Sequence, residues 1–289
     1  MAQSIFIPDG QRFAATELAR GPWDPEAQHG GASAALLVRA FERLAGSDGL
    51  LFARFSFEFL RPVPLAAIEV RTEIVRSGRR SALLEGSIED GDGRELVRAR
   101  SLRVRAAESA RGAETGGSGA PGSSSASSDA TPCVEVPSPD ALNSSEAFVW
   151  ARRPMFATDA MDIRFTHGHF VELGPAGAWF RLRVPLVADE KTSALQRLAA
   201  TADFGNGISS SVSWEDHLFI NPDLTLYIER EPRTEWIHLD AETRIAPDGI
   251  GIASGALHDE HGPLGRATQA LVISERGEDV RMPILGGRP

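Results

Sequence analysis

The sequence predicts an α+β fold built twice. Three observations carry this expectation. An apolar helical pattern followed by four strand-like segments occurs in each half of the chain, one fixed offset superimposes residues of the two halves, and a stretch without large apolar side chains separates them.

In the first half, Gly30-Gly31 opens the segment ASAALLVRAFERL, in which only Arg39, Glu42 and Arg43 break an apolar pattern. A helix apolar nearly all round suits an element wrapped by a sheet. Four alternating segments follow, FARFSFEFLRP, AIEVRTEIVRS, ALLEGSIEDGDG and ELVRARSLRVR, and the Asp-Gly-Asp-Gly run at residues 90–93 marks a tight antiparallel hairpin. From Ala106 to Pro132 there is no Leu, Ile, Val, Phe, Trp or Met. Such a stretch cannot offset its ordering entropy by burial, so it reads as a flexible linker between residues 1–105 and 133–289. In the second half, Leu195, Leu198, Ala199 and Ala202 fall at i, i+3, i+4 and i+7 of a helix, and LTLYIERE, WIHLDAETRIA, GIASGALHDEHG and GRATQALVISE follow as strands. An offset of 169 residues places Arg61 on Arg230, Glu73 on Glu242, Gly86 on Gly255, Asp90 on Asp259, Gly93 on Gly262 and Leu102 on Leu271, the signature of an internal repeat.

Composition narrows the function. Hydrophobic residues at 42% and charged residues at 24% of 289 are those of a soluble globular protein. No apolar run approaches the ~20 residues of a membrane span. The opening MAQSIFIPDGQRF has no charged segment followed by an apolar core, which sets the expectation of a cytoplasmic protein. The single cysteine, Cys133, excludes an intramolecular disulfide framework and a cysteine zinc site. A net charge of −10 without a basic block argues against nucleic acid as partner. His167 and His169 form an H-x-H pair without a third ligand nearby, so no metal is expected.

One segment, LQRLAATADFGNGISSS, does not fit a plain core helix. Asp203 lies at the edge of its apolar face, and Gly205 and Gly207 follow, each weakening a helix by roughly 1 kcal/mol relative to Ala. A partly buried carboxylate paired with Arg197 or Arg230 would be one explanation; a reactive group would be another.

The ordered set PWDPEAQHGGASAALLVRAFE, SFEFLRPVP, TADFGNGIS, FINPDLTLYIEREP and GRATQALV resembles the thioesterase-like superfamily of double-hotdog proteins, related to acyl-CoA thioesterase II. The resemblance implies a double hotdog, two repeats each wrapping an antiparallel sheet round one long helix, with an acyl-CoA site between them. In that family an Asp on the second helix, a Thr and a Gln hold the attacking water. Motif by motif, Asp203 takes the place of the Asp and Gln269 that of the Gln, while Asn221 stands where the family has Thr. The resemblance to single-hotdog thioesterases adds His29-Gly30-Gly31 at the start of the first helix. Nine positions after His29 stands Val38, nine before Asp203 stands Ala194, and the offset of 169 sets Arg100 opposite Gln269, so each half keeps what the other lacks. The implied site is therefore composite. Asp203 is its base or nucleophile, Asn221 and Gln269 orient water, and His29, Gly30 and Gly31 bind substrate and oxyanion through the N–H groups of a helix N-terminus. The implied activity is hydrolysis of an acyl-CoA thioester without a cofactor, CoA being part of the substrate, by a homo-oligomer of double hotdogs. Structural uses compete at each position: helix capping for His29, close packing for Gly30 and Gly31, an Asn-Pro turn for Asn221, a solvent-facing strand site for Gln269. A non-catalytic acyl-CoA or acyl-carrier binding protein is the alternative. A hotdog hydratase fits less well, because no His follows Asp203 where that motif requires one.

Overall fold

The computed structural model describes residues 3–44, 49–106, 136–145 and 154–275. The linker assigned to 106–132 and Cys133 lie, apart from Ala106, outside the described residues. The first half comprises β1 (Phe6–Asp9), β2 (Arg12–Ala15), α1 (Gly30–Arg43), β3 (Leu50–Phe59), β4 (Ala67–Ser77), β5 (Ser81–Glu89) and β6 (Glu95–Arg105). The second comprises β7 (Met161–His167), β8 (Ala176–Leu182), α2 (Ala194–Ala202), α3 (Gly205–Ile208), β9 (His217–Ile220), β10 (Asp223–Ile228), β11 (Ile237–Ile245), β12 (Ile250–Asp259) and β13 (Gly262–Glu275). No helix is long and apolar enough to cross a membrane among the described residues.

All these strands join one 13-stranded antiparallel sheet in the order β1-β2-β4-β5-β6-β3-β10-β13-β12-β11-β8-β7, with β9 alongside β13. The order is palindromic about β3 and β10, where Leu224 stands opposite Phe57 and Leu226 opposite Phe55. The inner face carries alternate apolar residues such as Phe55, Phe57, Leu84, Leu239 and Leu257, all buried. α1 packs on β3, β4 and β5, α2 on β8, β10 and β11, and the two helices pack on each other. Replacing Gly31 by any residue with a Cβ would put that atom 2.5 Å from the carbonyl oxygen of Ala200, so the glycine sets how closely the helices approach.

Three expectations change. The helix containing Leu195 ends at Ala202, and Gly205 and Gly207 belong to the separate short turn of α3 rather than weakening a helix interior. The sequence signals missed β1, β2, β7, β8 and β9. β1 and β2 have four residues each, and β8 is buried along most of its length, so it reads as an apolar run without alternation.

The third change concerns repeat register. The offset of 169 holds for β3, for β4 as far as Ile74 and for β5, but β6 and β13 slip by one. Leu84 pairs with Ser101, whereas its repeat counterpart Ala253 pairs with Gln269. Residues 90–94 join β5 to β6, but only Glu260 and His261 join β12 to β13, and β12 and β13 shift register between Leu257 and His258. A slip of one residue turns every side chain to the other face. Ser101, fully buried, is therefore the counterpart of Gln269, and Arg100 points outward to pair with Glu85 at 2.8 Å.

Candidate active site

The two helices pack side by side and run in opposite directions, so the N-terminus of α1, from the first half, adjoins the carboxylate at the C-terminal end of α2, from the second. His29 caps α1: its backbone is extended, its N–H donates to Ala19 O at 2.8 Å, and its Nδ1 accepts from Gly31 N–H at 3.0 Å. Its ring packs against Phe156 and Phe204, with centroids 4.9 and 4.6 Å away, and those two rings stack on each other at 5.9 Å. Ser193 starts α2 with a reciprocal capping box to Gln196, and Asp203 is the residue on which α2 stops.

Asp203 is 5% exposed and His29 8%. Oδ2 of Asp203 is 3.0 Å from His29 Nδ1. Its Oδ1 accepts from Asn221 Nδ2 at 2.9 Å and from Gln269 Nε2 at 3.2 Å. The arginines considered for Asp203 turn elsewhere: Arg197 donates to Thr192 O, and Arg230 forms a two-pronged pair with Asp259. Gln269 is 1% exposed, and its Oε1 accepts from Asn206 N–H at 3.0 Å. The structure thus brings together His29, Gly30, Asp203, Asn221 and Gln269 across the two halves.

The glycines acquire specific reasons. A Cβ at residue 30 would lie 2.7 Å from Asp203 Oδ2 and 2.9 Å from the Phe59 ring. A Cβ at residue 205 would lie 2.8 Å from Gln269 Oε1. Gly207 has no such neighbour and simply lines the cavity.

His29, Gly30, Asp203 and Asn221 open onto a cavity of about 460 Å³. Gly31 and Gln269 stand behind this front row: Gly31 N–H is engaged by His29, and Gln269 reaches the cavity only through Asp203 and Asn206. Gly30, as first residue of α1, has an N–H without an acceptor inside the helix, which leaves it as the donor available to a ligand oxygen. The remaining wall is mainly apolar. Trp23 stacks on Trp214 at 4.8 Å, Phe219 packs edge-on against both, and Phe59 and Phe170 complete it. Asn206, Trp23 and Phe59 carry no assignment from the sequence, although they lie within the TADFGNGIS, PWDPEAQHGG and SFEFLRPVP motifs.

The second junction between α1 and α2 is differently built. Counting from the caps His29 and Ser193, the counterpart of Asp203 is Arg39 rather than Val38, and Arg39 holds Glu190 by two contacts of 2.6 Å. Glu42 accepts from Ser193 Oγ at 2.7 Å and Gln196 Nε2 at 2.7 Å, and burial raises its carboxyl above the usual range. The H-x-H histidines diverge: His167 ends β7 and faces Asp240, and His169 contacts Ser145 Oγ at 3.0 Å beyond the turn. Among the described residues no group of three or more His, Cys, Asp or Glu side chains has a metal-binding arrangement.

Among solved structures, the chain is similar to a hot dog fold protein of unknown function from Alicyclobacillus acidocaldarius, with TM-score 0.66, 15% identity and coverage of 94% of this chain and 96% of the other. It is similar to the tesB protein of Mycobacterium avium subs paratuberculosis, with TM-score 0.61, 16% identity and coverage of 93% and 96%. An acyl-CoA thioesterase II, TesB2, from Mycobacterium marinum aligns with TM-score 0.58, 18% identity and coverage of 87% and 90%. At these identities the likeness establishes the hotdog fold. No curated protein sequence matches the chain. The profile of the acyl-CoA thioesterase N-terminal domain matches residues 19–104, and that of the acyl-CoA thioesterase C-terminal domain matches residues 131–273. Together they cover most of the chain, which belongs to the acyl-CoA thioesterase II-like family.

Proposed function

We propose that the protein is a double hotdog that hydrolyses an acyl-CoA thioester to a free acid and CoA, with Asp203 activating the attacking water. The observation that carries this reading is the carboxylate of one half set 3.0 Å from the helix-capping His29 of the other, at the wall of an apolar cavity. The palindromic sheet with one central helix per half supports the double-hotdog layout. Asn221 and Gln269 both donate to Oδ1 of Asp203, which leaves Oδ2, beside His29, as the oxygen to take a proton from water. Water gives a proton to Asp203, its oxygen attacks the thioester carbon, and the developing oxyanion takes the free N–H of Gly30 at the positive end of α1. The apolar wall accommodates the acyl group and keeps the anionic intermediate among fixed donors instead of mobile water.

Thiol release from a panel of acyl-CoAs tests this reading. Asp203→Asn, nearly isosteric and unable to accept the proton, should lower kcat by about 10²–10⁴-fold. An unchanged rate would overturn the mechanism. The Asp203–His29 contact is also a pair that hydratase chemistry can use, so the panel includes a 2-enoyl-CoA; loss of the enoyl absorbance without thiol release would replace hydrolysis by hydration.

A further inference from the structure

The contacts around Asp203 leave a question of protons. A ring nitrogen of histidine offers either one lone pair or one hydrogen in its plane. His29 Nδ1 has two neighbours at 3.0 Å, the N–H of Gly31 and Oδ2 of Asp203. When Asp203 is ionised, Nδ1 accepts from Gly31, and the hydrogen of the neutral ring sits on Nε2. When Asp203 is protonated, its carboxylic hydrogen has the same Nδ1 as its acceptor. Arrival of a proton on Asp203 thus opens a path into the imidazole.

We propose that His29 is a catalytic acid: it receives at Nδ1 the proton that Asp203 takes from water and releases its Nε2 hydrogen to the departing thiolate. This rests on the thioesterase reading. The step balances. Water gives one hydrogen to Asp203 and OH to the acyl carbon, and the carbon–sulfur bond breaks with its electron pair on sulfur. Sulfur takes the Nε2 hydrogen while Nδ1 takes that of Asp203. Free acid and thiol leave, Asp203 is ionised again, and the neutral ring returns to its starting tautomer by exchange with solvent.

Two further observations favour His29 for this task. The ionisable side chains lining the cavity, among the described residues, are Asp24, His29, Arg61 and Asp203. Asp24 is an acceptor when ionised and Arg61 does not give up its proton, so the imidazole is the group suited to donate and recover one. The wall is mainly apolar, and a thiolate left there without a partner is costly.

The test uses His29→Asn, since Asn is a good N-cap and keeps an acceptor for Gly31 N–H while removing the relay. Two substrates carry the same acyl group, one as its CoA ester and one as a nitrothiophenol ester whose thiolate leaves without a proton. The expected result is a loss of about 10²–10⁴-fold in kcat on the CoA ester and a rise of similar size in the aryl-to-CoA rate ratio. Equal losses on both esters, or no loss on either, would overturn the proposal and leave His29 a positioning residue. A measurement on the wild type needs no variant to fold: a solvent deuterium isotope effect on kcat should appear with the CoA ester and be weaker with the aryl ester, and equal effects would again overturn it. A wild-type protein that releases thiol from neither ester refutes the thioesterase reading itself.

Discussion

Gly205→Ala should change sign with its background. In α3 the substitution removes unfolded-state freedom, which by itself stabilises by about 0.4–1 kcal/mol where the backbone conformation suits Ala. The new Cβ, however, would sit 2.8 Å from Gln269 Oε1, the acceptor of Asn206 N–H. Gln269 must swing away, and leaving a buried donor unsatisfied costs about 1–3 kcal/mol. The wild-type background should therefore be destabilised by up to about 2.5 kcal/mol. In a Gln269→Ala background the obstruction is gone, and the same substitution should stabilise by about 0.4–1 kcal/mol. Urea denaturation of the four proteins measures the coupling, expected at about 1–3 kcal/mol, with thiol release followed in parallel because Gln269 also holds Asp203. Additivity within about 0.5 kcal/mol would show that the Gly205–Gln269 contact does not shape the site.

Two pH effects follow from buried groups remote from the cavity. At Asp259, burial acts to raise the carboxyl, but the Arg230 guanidinium and the N–H groups of Arg233 and His261 outweigh it and bring it down to about 2. Its contribution of about 2 kcal/mol is present above the unfolded value and fades as pH falls through about 2; Asp259→Asn should flatten urea stability between pH 5 and pH 2, and an unchanged slope would refute this. His238 is buried on the outer sheet face, where desolvation first, then His258 and His167, lowers it to about 3. The unfolded chain then binds a proton that the native chain refuses, so stability falls as pH drops from 6.5 toward 3, by up to about 1.4 kcal/mol per pH unit. His238→Gln should reduce that slope in melting curves; the same slope in both proteins would assign the loss to other groups.

The sequence by itself determined the helix at Gly30–Arg43, the eight alternating strands, and the exceptional status of Asp203, because those signals are local: a periodicity of 3.6 or 2, a glycine pair opening a helix, a carboxylate on an apolar face. The HGG, Asp, Asn and Gln candidates were legible by motif as well. Tertiary structure alone decided how they meet. No sequence pattern says that Oδ2 of Asp203 faces His29 while Asn221 and Gln269 share Oδ1, since each partner comes from a different element. Only strand pairing exposed Ser101, not Arg100, as the counterpart of Gln269, because a shorter hairpin and a bulge shift register without leaving a mark in the aligned letters. Gly205 shows the same division: as a letter it signals a weakened helix, and only in three dimensions does its missing side chain become the space that Gln269 occupies.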